Sequence, residues 1–230
     1  MSTTPPPIPQ DAIEFADNPD PRCPCLLLLD TSGSMAGEKI TALNAGLQTL
    51  RDDLLKDNLA KKRVEIAVVT FNSDVTVLQD FVTADQFNTP SLTPAGQTCM
   101  GSGILRALDM VEARKASYRA NGVAYYRPWV FLITDGEPQG EGDDVIVRAA
   151  QQVRDAEAKN QLSFYVVGVE GANIEKLKSV APPTRPVMKL TGLNFRELFL
   201  WLSASQKRVS AGKPGDMTPL APTGWGTAAT

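Results

Sequence analysis

The sequence contains no histidine among its 230 residues. Ser-His-Asp triads, Cys-His pairs and histidine-ligated zinc or iron sites all need an imidazole, so these kinds of site are excluded. The chain has only three cysteines, Cys23, Cys25 and Cys99. An odd number, with two of them one residue apart, is a poor disulfide framework. We therefore expect reduced thiols and a cytoplasmic location.

Neither sign of charge is in large excess, since 23 Lys and Arg residues stand against 26 Asp and Glu residues. The basic residues are scattered without a sustained run, which argues against nucleic acid as a partner. No apolar run approaches the roughly 20 residues of a membrane-spanning helix. The N-terminus, MSTTPPPIPQ, also lacks the basic and apolar regions of a signal peptide. We therefore expect no membrane partner.

Proline, glycine and threonine are concentrated at the two ends of the chain. Seven of the first 24 residues are proline, and the last 21 residues are rich in Gly, Pro, Thr and Ala. This composition predicts a proline-rich lead-in at 1–22, one domain at 23–209 and a flexible tail at 210–230. Trp225 in the tail is interpreted as an anchor for a partner or for the surface of the domain itself.

Between these ends, continuous apolar runs alternate with segments of helical period. Strands are predicted at 25–30, 63–71, 75–81, 129–134, 162–169 and 187–190, and apolar residues spaced three and four apart predict the intervening helices. The turn Asn72-Ser73-Asp74 favours an antiparallel edge for the strand that follows it. The pattern predicts a Rossmann-like, doubly wound α/β fold. Its central sheet is mostly parallel, with one antiparallel edge strand and helices on both faces.

Oxygen-bearing side chains follow two of the predicted strands and precede one helix. We expect these side chains to meet at the carboxyl edge of the sheet, where ligands bind in such folds. With no imidazole and no thiolate cluster, the oxygens suit Mg²⁺, or Mn²⁺ or Ca²⁺. Alternatively, the first aspartate caps a helix and the serines satisfy turn amides. The candidate metal ligands are Asp30, Ser32, Ser34, Thr98 and Asp135.

These residues, in the stretches 30–35 (DTSGSM) and 134–136 (TDG) with Thr98, resemble the metal-ion-dependent adhesion site (MIDAS) of von Willebrand factor A (vWA) domains. The order of elements is similar from about Cys25 to Arg208. The resemblance implies that hydroxyls matching Ser32, Ser34 and Thr98 contact the metal. It also implies that the two matching carboxylates act directly or through water.

More narrowly, the stretches 26–50, 68–74 and 127–138 resemble bacterial proteins of the tellurium-resistance TerY type. That resemblance implies a protein-interaction module in a tellurite or stress-response system. Its implied partners are an associated protein phosphatase or protein kinase. No reaction is predicted, and no catalytic residue is assigned.

Two other classes of function compete with this interpretation. One is a Mg²⁺-dependent phosphate hydrolase. Phosphatases of the dehalogenase type resemble D-x-D-x-T after the first strand, but Ser32 stands where that motif needs its second carboxylate. The other is a metal-independent scaffold that binds through its tails. The segment at 101–106 imitates a dinucleotide fingerprint, but it follows a loop and has Arg106 where Gly or Ala is expected.

The charge of the candidate site predicts how a partner is held. Three neutral hydroxyls and two carboxylates, of which one or both act through water, leave a divalent ion incompletely neutralised, with a water-filled position that an outside Asp or Glu carboxylate can take. Glu137 or Glu141 of the chain itself is the competing occupant of that position.

Overall fold

A computed structural model describes residues 15–216, 218–220 and 222–228, in which seven strands form one sheet in the order β3-β2-β1-β4-β5-β6-β7. The strands are β1 (Cys23–Asp30), β2 (Val64–Phe71), β3 (Val75–Thr83), β4 (Trp129–Thr134), β5 (Ser163–Gly168), β6 (Met188–Leu190) and β7 (Gly226–Ala228). The helices are α1 (Glu38–Leu54), α2 (Ala60–Arg63), α3 (Met100–Ala120), α4 (Asp143–Ala158), α5 (Ile174–Val180) and α6 (Phe195–Ala211), with a 3₁₀ turn at Gly33–Met35.

Five neighbouring strands, β2, β1, β4, β5 and β6, run parallel, while β3 and β7 pair antiparallel at the two edges. The predicted fold class is confirmed, with a second antiparallel edge strand that the sequence did not indicate. Strand β1 lies between β2 and β4. From β1 the chain continues to β2 on one side of the sheet, and from β4 it continues to β5 on the other side. The carboxyl ends of β1 and β4 therefore form the switch point of the sheet.

The central strands face two separate apolar cores through alternate side chains. Leu27 and Leu29 of β1 pack in the core that holds α1 and α6, whereas Leu26 and Leu28 pack in the core that holds α3, α4 and α5. Because helices cover both faces, β1 and β4 are apolar at nearly every position rather than at alternate ones. The two layers of helices also fix the orientation of each strand, and hence the edge of the sheet at which its last residues lie.

The C-terminal residues depart from the predicted tail. Trp225 is 2% exposed and packs edge-on against Trp201 with ring centroids 5.7 Å apart. The next three residues form β7, where the backbone approaches β6 so closely that a Cβ on Gly226 would lie 2.7 Å from the Lys189 carbonyl oxygen. Residues 225–228 of the predicted tail therefore pack on the domain, through the Trp225 ring and the pairing of β7 with β6.

The end of the lead-in also packs on the domain. Phe15 is buried against Tyr118, residues 15–17 are helical, and Arg22 forms an ion pair with Glu65 beneath them. The four prolines at positions 5–9 lie outside the described residues. Within the described part of the chain, no helix combines the length and apolar character that crossing a bilayer needs.

Candidate functional site

Asp30 ends β1 and is fully buried. Its Oδ1 accepts a hydrogen bond from the Ser32 backbone N–H at 2.7 Å, and its Oδ2 accepts one from the Thr134 hydroxyl at 2.5 Å. Burial raises the pKa of the Asp30 carboxyl and nearby Asp135 adds to this, whereas the bonds from Ser32 and Thr134 oppose the rise. These donors fix the orientation of the carboxylate at the switch point.

The loop after β1 turns Ser32 and Ser34 toward one another. The 3₁₀ turn at Gly33–Met35 is held by Met35, whose side chain is buried in the core, and by a 3.1 Å bond from the Gly33 N–H to the Gly96 carbonyl. As a result, the Ser32 and Ser34 Oγ atoms lie 3.0 Å apart. Ser32 is 2% exposed, while Ser34 faces solvent.

Asp135 follows β4 and meets the same loop. The Ser34 hydroxyl donates to Asp135 Oδ1 at 2.7 Å, and the Lys39 ammonium forms an ion pair with Oδ2. The Asp135 side chain is fully buried, and Lys39, in the first turn of α1, lies above it. The Asp135 carboxylate is therefore bonded to both a hydroxyl and an ammonium group. The contact with Lys39 was not predicted from the sequence.

Thr98 enters from the loop before α3. Its backbone pairs with that of Gln139, through N–H to carbonyl distances of 3.2 and 3.0 Å in the two directions. A Cβ built on Gly136 would lie 3.5 Å from Thr98 Oγ1 and 3.5 Å from Asp30 Oδ2. Gly136 therefore lies between these two oxygens, and all five predicted ligands meet at one edge of the sheet.

The neighbouring acids of the chain are engaged elsewhere. Glu141 accepts bonds from the Gly101 N–H and from the N–H and hydroxyl of Ser102, so its carboxylate caps the N-terminus of α3. Glu137 accepts a bond from the Asn173 amide at 2.5 Å. Both carboxylates therefore have bonding partners other than the five predicted ligands.

The donor set fits a hard divalent cation only if the hydroxyls take part. Among the described residues, no three Asp, Glu or Cys side chains form a cluster that could hold a metal on their own. The site instead offers two carboxylates and three hydroxyls, the oxygen ligands that Mg²⁺, Mn²⁺ and Ca²⁺ accept. Three of these oxygens, on Ser32, Ser34 and Asp135, are already linked by hydrogen bonds of 3.0 and 2.7 Å.

Cys99, beside Thr98, has the character of a packed thiol. Its Sγ lies 3.4 Å from the Ser73 carbonyl oxygen, and the side chain is 9% exposed. Burial raises the pKa of the Cys99 thiol, and the negative charges of Glu141 and Asp74 raise it further. The thiol is therefore protonated at neutral pH, which disfavours nucleophilic reactivity.

A large cavity lies at the other end of the sheet, between the start of β4, the start of β5 and the residues after α6. Its lining includes Arg127 and Arg185, which both pair with the buried Glu157. Lys115, also in the lining, pairs with Glu112. These three cations are thus engaged within the protein, and none of the predicted metal ligands lies there.

The von Willebrand factor type A domain family matches residues 26–198 of this chain. No curated protein matches the chain in sequence. Among solved structures, a von Willebrand factor type A protein from Catenulispora acidiphila has a TM-score of 0.63 at 19% identity. That match covers 82% of this chain and 43% of the other.

Two further solved structures share the fold. The pilus adhesin SpaC of Lactobacillus rhamnosus GG has a TM-score of 0.62 at 12% identity, over 82% of this chain and 30% of that one. Proximal thread matrix protein 1 of the mussel byssus, described with a zinc-occupied MIDAS motif, has a TM-score of 0.54 at 18% identity, over 84% and 47%. This chain thus spans less than half the length of each.

Proposed function

Because the chain belongs to the von Willebrand factor type A domain family, we propose that it is a protein-interaction module that binds its partner through a divalent cation. One observation carries this proposal: the Ser32, Ser34 and Asp135 oxygens meet beside Asp30 and Thr98, with Ser34 exposed to solvent. When bound, the cation would supply a positive centre for a carboxylate of the partner.

The roles of the residues follow from their surroundings. The hydroxyls of Ser32, Ser34 and Thr98 and the carboxylate of Asp135 would hold the ion. Asp30, kept in place by the Ser32 N–H and the Thr134 hydroxyl, would act directly or through a bridging water. Since Glu137 and Glu141 are bonded elsewhere, the remaining position is open to an Asp or Glu of the partner.

We assign Mg²⁺ as the resident ion, with Mn²⁺ as its closest substitute and Ca²⁺ as a larger alternative. Neighbouring ligands of an octahedral ion bound at roughly 2.0–2.1 Å are about 3 Å apart. The Ser32–Ser34 and Ser34–Asp135 oxygens, which are paired by hydrogen bonds of 3.0 and 2.7 Å, already lie at about that separation. A mussel protein of the same fold is described with zinc, but this donor set has no imidazole or thiolate to favour zinc.

The finer proposal is a cytoplasmic TerY-type protein of a bacterial tellurite or stress-response system. It rests on the resemblance of the stretches 26–50, 68–74 and 127–138. An associated protein phosphatase or protein kinase is then the partner that would supply the carboxylate.

We predict that partner capture from a native lysate requires Mg²⁺ and is lost on chelation. Ser32→Ala or Thr98→Ala should reduce capture, because each removes one neutral ligand while leaving the core intact. Ser179→Ala, an exposed hydroxyl at the far end of α5, is the matched control. Equal recovery of the same partner with Mg²⁺ and with chelator would favour a metal-independent scaffold instead.

Removing the tail does not provide a clean test of that scaffold. Trp225 is buried in the core with α1 and α6, so deleting residues after Ser210 would disturb the domain. A scaffold that binds through its ends is better tested by deleting residues 1–14, which precede the described part.

We predict that phosphate-ester hydrolysis stays at background with Mg²⁺ or Mn²⁺ present. A metal can activate water, but fast turnover also needs a positioned base and a group that stabilises the leaving oxygen. The five predicted ligands are assigned to the ion, Glu137 and Glu141 are bonded elsewhere, and Lys39 is paired with Asp135. An assay with p-nitrophenyl phosphate checks this; robust turnover abolished by Asp30→Asn would establish the hydrolase instead.

A further inference from the structure

The positively charged side chain of Lys39 contacts Asp135, a proposed ligand of the site. Its ammonium forms an ion pair with Asp135 Oδ2 and lies 3.4 Å from the Ser34 carbonyl oxygen. A Cβ on Gly171 would lie 3.7 Å from the same nitrogen. The ammonium therefore lies among the loops that follow β1, β4 and β5, with its side chain 25% exposed.

The two carboxylates of the site are compensated differently. Asp30 receives hydrogen bonds from neutral donors, the Ser32 N–H and the Thr134 hydroxyl. Asp135, whose side chain is fully buried, receives one hydroxyl and the full positive charge of Lys39. A buried carboxylate that loses its counter-ion is costly, so this pair stabilises the edge before any metal binds.

We propose that Lys39 is a tethered counter-ion that competes with the divalent cation for Asp135 and so weakens metal binding. This inference rests on the proposed function. A divalent ion that binds the Asp135 carboxylate while the ammonium stays on Oδ2 is repelled by that second positive charge at short range. Metal binding therefore favours outward movement of the Lys39 side chain, which its partial exposure permits.

Competition of this kind has a consequence for the partner. The edge can exist in two neutralised forms, one with the lysine on Asp135 and one with the metal there. A partner carboxylate adds to the metal form alone, so partner and metal should strengthen each other's binding. Lys39 stabilises the metal-free form and raises the ion concentration that the site needs for occupancy.

The test compares Lys39→Met with Lys176→Met. Lys176 is exposed near the start of α5, so its replacement changes the net charge equally without touching Asp135. Titration calorimetry should show Mn²⁺ binding about fivefold tighter in Lys39→Met than in the wild type, the upper end of the factor expected from losing one partly exposed ion pair. Lys176→Met should bind as the wild type does.

A second readout is thermal unfolding without metal. Lys39→Met should melt at a lower temperature than Lys176→Met in chelator, and the difference should shrink or reverse in saturating Mn²⁺. Lys39→Arg, which keeps the positive charge, should bind Mn²⁺ as weakly as the wild type does. Equal or weaker Mn²⁺ binding in Lys39→Met would overturn the competition alone, whereas no Mn²⁺ binding in any variant would overturn the proposed metal site with it.

Discussion

Asp30→Ala is expected to abolish divalent-cation binding while the domain stays folded. In the wild type, Mn²⁺ at about 100 times its dissociation constant should add about 2.7 kcal/mol to the free energy of unfolding. Asp30→Ala should show none of this increment, because the site keeps one carboxylate out of two. Urea unfolding with Mn²⁺ and with chelator measures the difference.

Without metal, Asp30→Ala should cost only about 1–3 kcal/mol, because the Ser32 N–H and the Thr134 hydroxyl lose their acceptor. The two apolar cores do not depend on this side chain. Asp109→Ala, at an exposed position of α3, is the control and should retain the full Mn²⁺ effect. A wild-type-like Mn²⁺ effect in Asp30→Ala would remove Asp30 from the site.

Glu65→Gln is expected to be the most destabilising single change considered, at about 3–5 kcal/mol. The Glu65 carboxylate is fully buried in β2, and its partners are Arg22 and Arg114. The ion-pair distances are 2.9 Å to Arg22 Nε and 2.8 Å to the Arg114 guanidinium. Glutamine would leave two buried guanidinium groups without a counter-charge.

Tyr118 adds to this cluster, since its hydroxyl donates to Glu65. Burial and the neighbouring Glu65 carboxylate raise the pKa of Tyr118, so it stays a neutral donor. The control is Glu112→Gln, whose half-exposed carboxylate pairs with Lys115 on the next turn of α3 and should change stability by less than about 1 kcal/mol. If the two variants unfold at the same urea concentration, Glu65 does not organise this region.

The main strands and helices could be predicted because their signal is local. The apolar run at 129–134 coincides with β4, and the three- and four-residue steps from Ile40 to Leu54 coincide with the buried face of α1. In a doubly wound sheet, the order of these elements largely determines which strand ends meet. That is why Asp30, Thr98 and Asp135 could be brought together from the sequence.

The features that were not predicted depend on pairing between distant residues. Strand β7 consists of Gly, Thr and Ala, which carry little strand signal, and it forms because the backbone can pair with β6. Lys39 and Asp135 are 96 residues apart, so no periodicity connects them. Arg22 was assigned to the lead-in for its proline-rich surroundings, although it lies buried against Glu65.

Glu141 is a further residue whose bonding partners could not be predicted from the sequence. Its position near Asp135 in the sequence suggested an internal ligand for the metal, but its carboxylate binds the first N–H groups of α3. The first N–H groups of a helix have no partner within the helix, so they bind a neighbouring carboxylate in preference to an ion that lies farther away. Only the placement of α3 beside the loop after β4 reveals this choice.

The most direct test of the account is the electron paramagnetic resonance signal of free Mn²⁺ during titration with the protein. The wild type should bind one Mn²⁺ per chain and reduce the free-ion signal, and added Mg²⁺ should restore it. The double variant Ser32→Ala/Thr98→Ala should leave most of the Mn²⁺ free, while Ser179→Ala should behave as the wild type. Undiminished binding in the double variant, or no binding in the wild type, would contradict a metal site at the carboxyl ends of β1 and β4.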